Sequence, residues 1–358
     1  MLVEGKRYKT LWLEKETVKI IDQTKLPFRF KIIKLQSLND FCEAISNMQV
    51  RGAPLIGVTG AFGMAVSMSK DPSDSNINKS YDRLLSTRPT AVNLRWSLDL
   101  IKEKLSRVDI LDRPEKAMEY AKIISDSDES ACESIGDYGC EIINNLFKKK
   151  KRVINILTHC NAGWLAAIDW GTALAPIYKA ARKKIPIHVW VDETRPRNQG
   201  ALLTAWELKN EGVPYTIIVD NAGGHLMHEG KVDLCIVGSD RTAINGDVGN
   251  KIGTYLKALA AYDNKIPFYV ALPSSTIDLK LNSGVGKIPI EERDPKELSH
   301  MYSFSNNKLK DNLIYFKNAN IFNPAFDVTP AKYITKLITQ HGVCNASKKE
   351  ILQNIKSN

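Results

Sequence analysis

The sequence predicts an α/β protein in which a small β-sheet and a group of helices precede a parallel sheet with crossover helices. Two observations carry this prediction. Between Asn93 and Phe147 the apolar residues recur with a helical period. From about residue 148 onwards, short apolar and β-branched runs alternate with helical segments, in the order VINIL, IPIHVWV, YTIIV, DLCIVG and IPFYVAL. Strands that begin roughly 20 to 35 residues apart with helices between them are typical of a parallel sheet.

The N-terminal part predicts three short strands and then helices. The strands fall in KTLWLEK, TVKIIDQ and FRFKIIKL, and the amphipathic LNDFCEAISNM and the small-residue run PLIGVTGAFGMAVSMSK predict the first helices. Residues 71–78 predict a polar loop or a helix start. The basic run Lys148–Arg152 marks the predicted boundary between an N-terminal domain, residues 1–147, and a C-terminal domain, residues 148–358.

Composition narrows the functional classes. The 358 residues carry a formal net charge of +10, but nothing concentrates it beyond short runs, which indicates a solvated basic surface rather than a nucleic-acid partner. The six cysteines form no CxxC pair, and neither a signal peptide nor a run of about 20 apolar residues is present. We therefore expect a soluble cytoplasmic protein without disulfides and without membrane association.

Motifs for cofactors are missing from the sequence. No loop matches a dinucleotide fingerprint or a GxxxxGK[ST] phosphate loop, and no HExxH or Cys/His cluster suggests a metal. We expect no cofactor and no metal, and acid/base chemistry on an anionic small molecule remains.

The corner after VINIL raises the first candidate, Cys160. The segment WLAAIDWGTALAPIYKAARKK after Gly163 predicts a helix, so the cysteine would lie at a strand-to-helix corner between His159 and Asn161. A thiol near a helix N-terminus gains thiolate character, which suits a base or a nucleophile. The alternative is a buried cysteine that acts as a small apolar residue.

Carboxylates follow other predicted strands. Asp240 comes directly after a buried strand and could be an acid with a raised pKa, or a capping or salt-bridged residue. Arg241 beside it would lower that pKa. Asp247 and Asp192 compete for the same role, and spacing alone does not rank the three.

Cations and amides that could hold a phosphate occur in three places. Arg51 precedes Gly52-Ala53-Pro54 at a predicted helix start, which forms a plausible anion cradle. Arg88 precedes a proline, and Lys251 follows Asn250 at another predicted helix start. Each of these cations alone is more often a solvated surface group.

Long motifs give the sequence a family resemblance. They are MQVRGAPLIGVTGAFGMAV, TRPTAVNLRW, ILTHCNAG with WGTAL, VDETRPRNQGA with LTAWEL, GSDRTAINGDVGNKIGTY, and IPFYVALPSSTID with IPIEER and NPAFDVTP. These segments closely resemble the methylthioribose-1-phosphate isomerases, the catalytic members of the family that also contains the α, β and δ subunits of translation initiation factor 2B. The resemblance runs from about Leu13 to Gly342.

The resemblance implies a Rossmann-like C-terminal domain, a homodimer, a phosphorylated pentose substrate and no cofactor. It also selects among the candidates, because the family's catalytic cysteine and aspartate fall on Cys160 and Asp240. Its substrate-binding residues fall on Arg51, Gly52, Ala53, Arg88, Gln199, Asn250 and Lys251. Three departures stand out: Leu202 replaces a usual arginine, Ser239 replaces a usual alanine, and Ala222–His225 differs in its small residues.

The activity that the resemblance implies is the isomerisation of 5-methylthioribose 1-phosphate to 5-methylthioribulose 1-phosphate in methionine salvage. Three alternatives stay open. One is a sister isomerase acting on 5-deoxyribose 1-phosphate, which would share the catalytic residues, and another is a ribose-1,5-bisphosphate isomerase, which would need further cations. The third is a non-catalytic regulatory subunit related to initiation factor 2B.

Overall fold

The computed structural model describes residues 1–356 as a mixed α/β protein. The helices are α1 (Leu38–Ser46), α2 (Ala53–Met68), α3 (Asp74–Thr87), α4 (Val92–Leu105), α5 (Arg113–Lys150), α6 (Ala175–Arg182), α7 (Ala205–Asn210), α8 (Ala222–His228), α9 (Thr254–Asp263), α10 (Lys296–Ser299) and α11 (Lys348–Lys356). The first nine strands are β1 (Leu2–Val3), β2 (Lys6–Arg7), β3 (Leu11–Glu14), β4 (Thr17–Ile21), β5 (Ile32–Leu35), β6 (Ile154–Thr158), β7 (Ile187–Asp192), β8 (Tyr215–Ile218) and β9 (Leu234–Val237). The remaining strands are β10 (Arg241–Ala243), β11 (Val248–Lys251), β12 (Phe268–Ala271), β13 (Ile277–Asp278), β14 (His300–Ser305), β15 (Lys308–Leu313), β16 (Phe326–Thr329), β17 (Lys336–Thr339) and β18 (Gly342–Cys344).

The N-terminal elements agree with the sequence prediction. Strands β3, β4 and β5 form an antiparallel sheet, and the polar segment after residue 71 leads into α3. Helix α2 is buried along its whole length and packs against α1, α3, α4 and α5. Its small residues permit this approach, since a Cβ on Gly57 would lie 2.8 Å from the carbonyl oxygen of Asn93. A buried helix with small residues on several faces thus forms the centre of the N-terminal part.

The C-terminal part is organised by one sheet with the strand order β18-β17-β12-β9-β6-β7-β8. All pairs are parallel except β17–β18, which is antiparallel. The five predicted strands are its central and one-edge members, so the predicted fold class is confirmed. The other two strands, of four and three residues, were not predicted from the sequence.

Apolar residues cover both faces of this sheet. In β9, Leu234 and Ile236 pack with residues of α5, α6 and α7, whereas Cys235 and Val237 pack with residues of α8, α9 and α11. Successive side chains of a strand point to opposite faces, so a strand that is apolar throughout is covered by helices on both sides. This arrangement leaves the carboxyl ends of the strands as the open edge where loops converge.

The helix predicted after Gly163 is wrong over its first half. The chain forms a 3-10 turn at Trp164–Ala166, and α6 begins only at Ala175. The interruption is at Trp170 and Gly171, which have φ values of 62° and 76°, while the side chain of Asp169 accepts the amide of Trp170. The segment is apolar because it is buried between the two halves of the molecule, and its composition does not reflect a helical period.

The segment predicted as one loop after β9 contains two strands. Strands β10 and β11 form a hairpin within a four-stranded sheet of order β13-β10-β11-β16. Lys251 therefore ends a strand, and α9 starts three residues later, at Thr254. The domain boundary at residues 147/148 stays a prediction; α5 continues past it to Lys150.

Candidate active site

A cavity opens at the carboxyl ends of the parallel strands, against the start of α2. All nine residues that the family resemblance assigned to the site lie on its walls. They are Arg51, Gly52, Ala53, Arg88, Cys160, Gln199, Asp240, Asn250 and Lys251. Residues from both halves of the chain, separated by up to 200 positions, therefore meet in one place, as expected for ligand sites of open parallel sheets.

Cys160 follows β6 and is half-buried at the cavity wall. Because no helix starts beside it, the predicted activation by a helix N-terminus is wrong. Burial raises the pKa of its thiol to about 11, although the ammonium of Lys251 opposes this shift. The nearby carboxylate of Asp240 raises it further. The resting thiol is therefore neutral near pH 7.

Asp240 follows β9 and faces the same cavity. Burial raises the pKa of its carboxyl, while Lys251 and Arg88 oppose that effect. Arg241 was expected to lower the pKa of Asp240, but it is not among the groups that shift it. Its guanidinium turns away, and its Nε donates to Asp278 at 3.1 Å. Asp240 is thus a carboxyl group whose surroundings favour the protonated form that a general acid requires.

The two rival carboxylates serve other purposes. Asp247 accepts hydrogen bonds from the amides of Gly284 and Ala331 at 2.9 Å each, and it does not line the cavity. Although burial opposes the change, these bonds and one from Asn245 lower the pKa of Asp247. The carboxylate of Asp247 therefore links several loops and has a structural role.

Asp192 belongs to a buried charge cluster behind the cavity. Its Oδ2 lies 2.8 Å from Nδ1 of His159 and 3.2 Å from the ammonium of Lys257. The other ring nitrogen of His159 lies 2.8 Å from the carbonyl oxygen of Ile252, next to Lys251. His159, Asp192 and Asp220 place ligand atoms within 4.8 Å of one another, as a metal site would. In this cluster the lysine ammonium, which also donates to the carbonyl of Asp220, supplies the positive charge.

Arg51 and the start of α2 form one cationic wall. The Arg51 side chain is 7% exposed, and burial followed by the proximity of Arg197 lowers the pKa of its guanidinium to about 9. Its Nε has no hydrogen-bond partner within residues 1–356. Gly52 caps α2 with φ of 94°, and a Cβ there would lie 2.4 Å from the carbonyl oxygen of Ala166. The wall therefore offers an unpaired guanidinium donor beside free amides of a helix N-terminus, which suits an anion.

Three more polar groups complete the cavity. Arg88 ends α3 and lies 3.4 Å from Glu291, and its Nε also lacks a partner among the described residues. Within residues 1–356 no carboxylate lies within 4.0 Å of the Lys251 ammonium, which stands over the Phe326 ring at 5.2 Å. Asn250 donates to the Thr254 hydroxyl at 3.0 Å, which orients its side chain. The free Nε donors of Arg51 and Arg88, together with the ammonium of Lys251, indicate a site for a phosphate-sized anion.

An apolar extension of the cavity escaped the sequence analysis. A second, small space shares Ala53, Ile56, Arg88, Asp240 and Phe326 with the first. Its other walls are mainly apolar and come from four places in the chain: Thr90–Ala91, Arg241, Gly249 and Ile288–Pro289. We call this space the apolar annex. Scattered aliphatic residues give no signal in a single sequence, so only the fold could locate it.

The Leu202 departure lies outside this cavity. Leu202 lines a neighbouring space that shares Met48 and Arg51 with the site. Ser239 does face the site cavity, where its hydroxyl lies 2.8 Å from that of Thr242. The arginine missing at position 202 is thus not missing from the walls around Cys160 and Asp240.

The fold and the cavity together define a class of protein: an α/β protein with a Rossmann-like sheet whose strand ends carry a cysteine and a carboxyl beside a cationic cradle. The sequence profile described as the Initiation factor 2 subunit family matches residues 49–346. The chain belongs to this family, and the resemblance seen in the motifs is confirmed.

Individual relatives are similar over nearly the whole chain. The methylthioribose-1-phosphate isomerase of Escherichia coli O45:K1 is 54% identical over 359 residues, which covers 98% of this chain and 95% of the relative. The methylthioribose-1-phosphate isomerase of Paramagnetospirillum magneticum is 54% identical over 350 residues, or 97% of each chain.

Solved structures give the same picture. The 5-methylthioribose 1-phosphate isomerase of Pyrococcus horikoshii matches with a TM-score of 0.83 and 38% identity, over 99% of this chain and 97% of that one. The subunit delta of translation initiation factor eIF-2B from A. fulgidus matches with a TM-score of 0.79 and 34% identity, over 98% and 100%. Separately, none of the helices within residues 1–356 is both long and apolar enough to cross a bilayer.

Proposed function

We propose that this chain is an aldose–ketose isomerase that converts 5-methylthio-D-ribose 1-phosphate to 5-methylthio-D-ribulose 1-phosphate in methionine salvage. The observation that carries the proposal is the meeting of Cys160 and Asp240 in one cavity with cations that keep free donors, the Nε atoms of Arg51 and Arg88. Relatives that are 54% identical over nearly their full length bear the name of this activity.

The substrate poses a specific chemical problem. Its C1 oxygen carries the phosphate, so the furanose cannot open to a free aldehyde, and the usual route through an enediol is closed at the start. The bond between C1 and the ring oxygen must break while the phosphate stays attached. We assign Arg51, Arg88, Lys251 and the amides of Gly52 and Ala53 to the phosphate, because fixed geometry of the sugar is where positioning contributes to rate.

Asp240 is the proposed general acid. As the C1–O4 bond breaks, the proton of its carboxyl passes to O4, and the electron pair of the bond goes with the oxygen. A hydrogen then moves from C2 to C1, the C2 hydroxyl loses its proton, and the C2 carbonyl forms. That proton restores the acid, so the isomerisation balances without an external reductant. The raised pKa of Asp240 supports this role, since the resting group must hold a proton.

Cys160 is the proposed partner at C1 and C2. A thiol with a pKa of about 11 is protonated near neutral pH, so a resting thiolate base has no support. A neutral thiol beside apolar walls instead keeps water away from the positively charged C1 and suits migration of the hydrogen as a hydride.

The apolar annex favours the 5-methylthio sugar over the 5-deoxy sugar. It opens beside Asp240, where the ring oxygen would lie, and C5 is attached to the carbon bearing that oxygen. Its walls around Ile288 and Phe326 offer a thioether more apolar contact than a lone methyl group would use. The alternative function is that of a non-catalytic regulatory subunit, like the related initiation-factor subunits. That role requires neither a buried acid nor a thiol in a shared cavity.

Assembly and location form the rest of the proposal. The family resemblance supports a homodimer, and six cysteines without a CxxC pair support the reducing environment of the cytoplasm. Light scattering of the purified protein would measure the dimer. A monomer, or a protein that associates only with heterologous subunits, would contradict it.

Phosphorus NMR tests the activity. Purified protein is incubated with 5-methylthioribose 1-phosphate and, in parallel, with 5-deoxyribose 1-phosphate, using Cys160→Ser and Asp240→Asn as variants. We expect conversion of the first sugar, slower conversion of the second, and a fall of about 10³-fold in Asp240→Asn, typical of a lost general acid. Deuterium placed at C2 should be retained at C1 if a hydride moves. Faster turnover of the deoxy sugar would identify the protein as a 5-deoxyribose-1-phosphate isomerase. Conversion of neither sugar would contradict the proposed isomerase activity.

A further inference from the structure

Cys160 adopts a backbone conformation that a cysteine disfavours. Its φ is 67°, in the left-handed region that costs a residue with a Cβ roughly 1–2 kcal/mol. Such a conformation persists only where the surroundings hold it, and it is common at functional sites. No helix starts at this corner, so residues elsewhere in the chain must hold the backbone of Cys160 in this conformation.

Two buried threonines bind the backbone of Cys160 from both sides. The amide of Cys160 donates to Oγ1 of Thr194 at 2.8 Å, and Oγ1 of Thr204 donates to the carbonyl oxygen of Cys160 at 2.7 Å. Both threonines are 0% exposed. The hydroxyl of Thr194 also donates to the carbonyl of Asp192 at 2.9 Å, which leaves it oriented to accept from Cys160. Both backbone polar groups of the cysteine therefore have a fixed partner.

A third residue, Glu207, holds the loop that follows. It lies one turn after Thr204 and is 0% exposed. Its Oε1 accepts from the side-chain amide of Asn161 at 2.7 Å and from the backbone amide of Leu165 at 3.4 Å. A Cβ on Gly163 would come within 1.8 Å of its Oε2, so the loop wraps closely around this carboxyl group.

We propose that Thr194, Thr204 and Glu207 are positioning residues that hold Cys160 in its reactive orientation; we call the three the cysteine clamp. None of them lines the cavity, so they act through Cys160 and not on the substrate. The clamp's effect on turnover rests on the proposed isomerase activity, whereas its effect on the conformation of Cys160 does not.

The test compares Thr204→Val, which has the same shape without the hydroxyl, with Thr204→Ser, which keeps it. In Thr204→Val we expect kcat to fall about 10- to 100-fold, the effect of displacing a reacting group by about 1 Å. KM and the inhibition constant of inorganic phosphate should stay within about twofold, because Arg51 and Lys251 are untouched. Thr204→Ser should recover most of the lost kcat. An unchanged kcat in Thr204→Val, or an equal loss in Thr204→Ser, overturns the proposal.

A second measurement keeps the clamp separate from the activity. Maleimide labelling of Cys160, followed by mass spectrometry without any substrate, should be several-fold faster in Thr204→Val than in wild type and Thr204→Ser. If wild type converts neither sugar, this labelling alone decides: faster labelling supports the clamp, and unchanged labelling overturns it. If Thr204→Val fails to fold, the same comparison is made with Thr194→Val and Thr194→Ser.

Discussion

The cysteine end and the cationic end of the cavity are built in opposite ways. At Cys160 both backbone polar groups are bound by buried threonine hydroxyls. At Arg51 and Arg88 the guanidinium Nε atoms are buried without a partner within residues 1–356. A group that must hold its position has its hydrogen bonds satisfied inside the protein, whereas a group that must bind an anion keeps donors free. The two ends should therefore respond to substitution in different kinetic constants.

Apart from substitutions of Cys160 and Asp240, the change expected to have the largest effect is Arg51→Lys. Lysine keeps the charge but loses the planar fork, and hydrogen bonds to charged groups contribute about 1.5–3 kcal/mol each. We expect KM to rise about 10- to 100-fold with a smaller change in kcat, the reverse of Thr204→Val. Steady-state kinetics with 5-methylthioribose 1-phosphate measures both constants.

The matched control for this substitution is Arg29→Lys. Arg29 is exposed and donates to the carbonyl oxygen of Asn307 on the β14–β15 hairpin, outside the cavity. Its kinetics should equal those of wild type. A fall in kcat with unchanged KM in Arg51→Lys would mean that the two ends do not divide binding and positioning in this way.

The substitution Ile288→Phe changes neither the cysteine end nor the cationic end of the cavity and tests the apolar annex alone. Ile288 is 8% exposed on the wall of the apolar annex, and the larger ring should fill the space for a thioether. The ratio of kcat/KM for the methylthio sugar to that for the deoxy sugar should fall about tenfold, within the range that small apolar groups contribute to selection. Ile290→Phe is the control, because Ile290 is 42% exposed and outside the annex. Equal losses for both sugars would place the 5-substituent elsewhere.

The smallest expected effect concerns pH. Asp240 must be protonated to act as an acid, so kcat is full below its pKa in the folded protein and declines as pH rises through it. Burial raises this pKa and Lys251 lowers it. In Lys251→Met the decline of kcat at alkaline pH should therefore move to higher pH. The measurement is the pH profile of kcat at saturating substrate. The control is Lys265→Met at an exposed position, which should leave the profile unchanged. A limb that moves to lower pH would contradict Asp240 as the acid.

The sequence predicted the parallel sheet well because its strands are buried on both faces and therefore continuously apolar. It also placed Cys160 and Asp240 at strand ends, where polar residues exceed the needs of a turn. It failed after Gly163, since a buried irregular segment and a buried helix have similar composition. Burial and left-handed residues such as Trp170 can be seen only in the folded chain.

The candidate site shows the same division. The cations and the glycine-containing loop at Arg51 are local in sequence and could be named, and the fold brings all nine named residues to one cavity. The apolar annex depends on distant segments and could not be found. Thr204 and Glu207 had one weak signal, a pair of polar residues spaced by three in the apolar LTAWEL, which a single sequence does not distinguish from ordinary helix chemistry.

The raised thiol pKa of Cys160 has a consequence for oxidative damage. Peroxide attacks the thiolate, and at a pKa of about 11 only about one molecule in 10⁴ carries that form at pH 7, compared with a few per cent for an ordinary cysteine. The same burial that keeps the thiol protonated therefore slows its conversion to sulfenic acid. We therefore expect peroxide to oxidise Cys160 more slowly than an ordinary cysteine, which mass spectrometry of the peroxide-treated protein would measure.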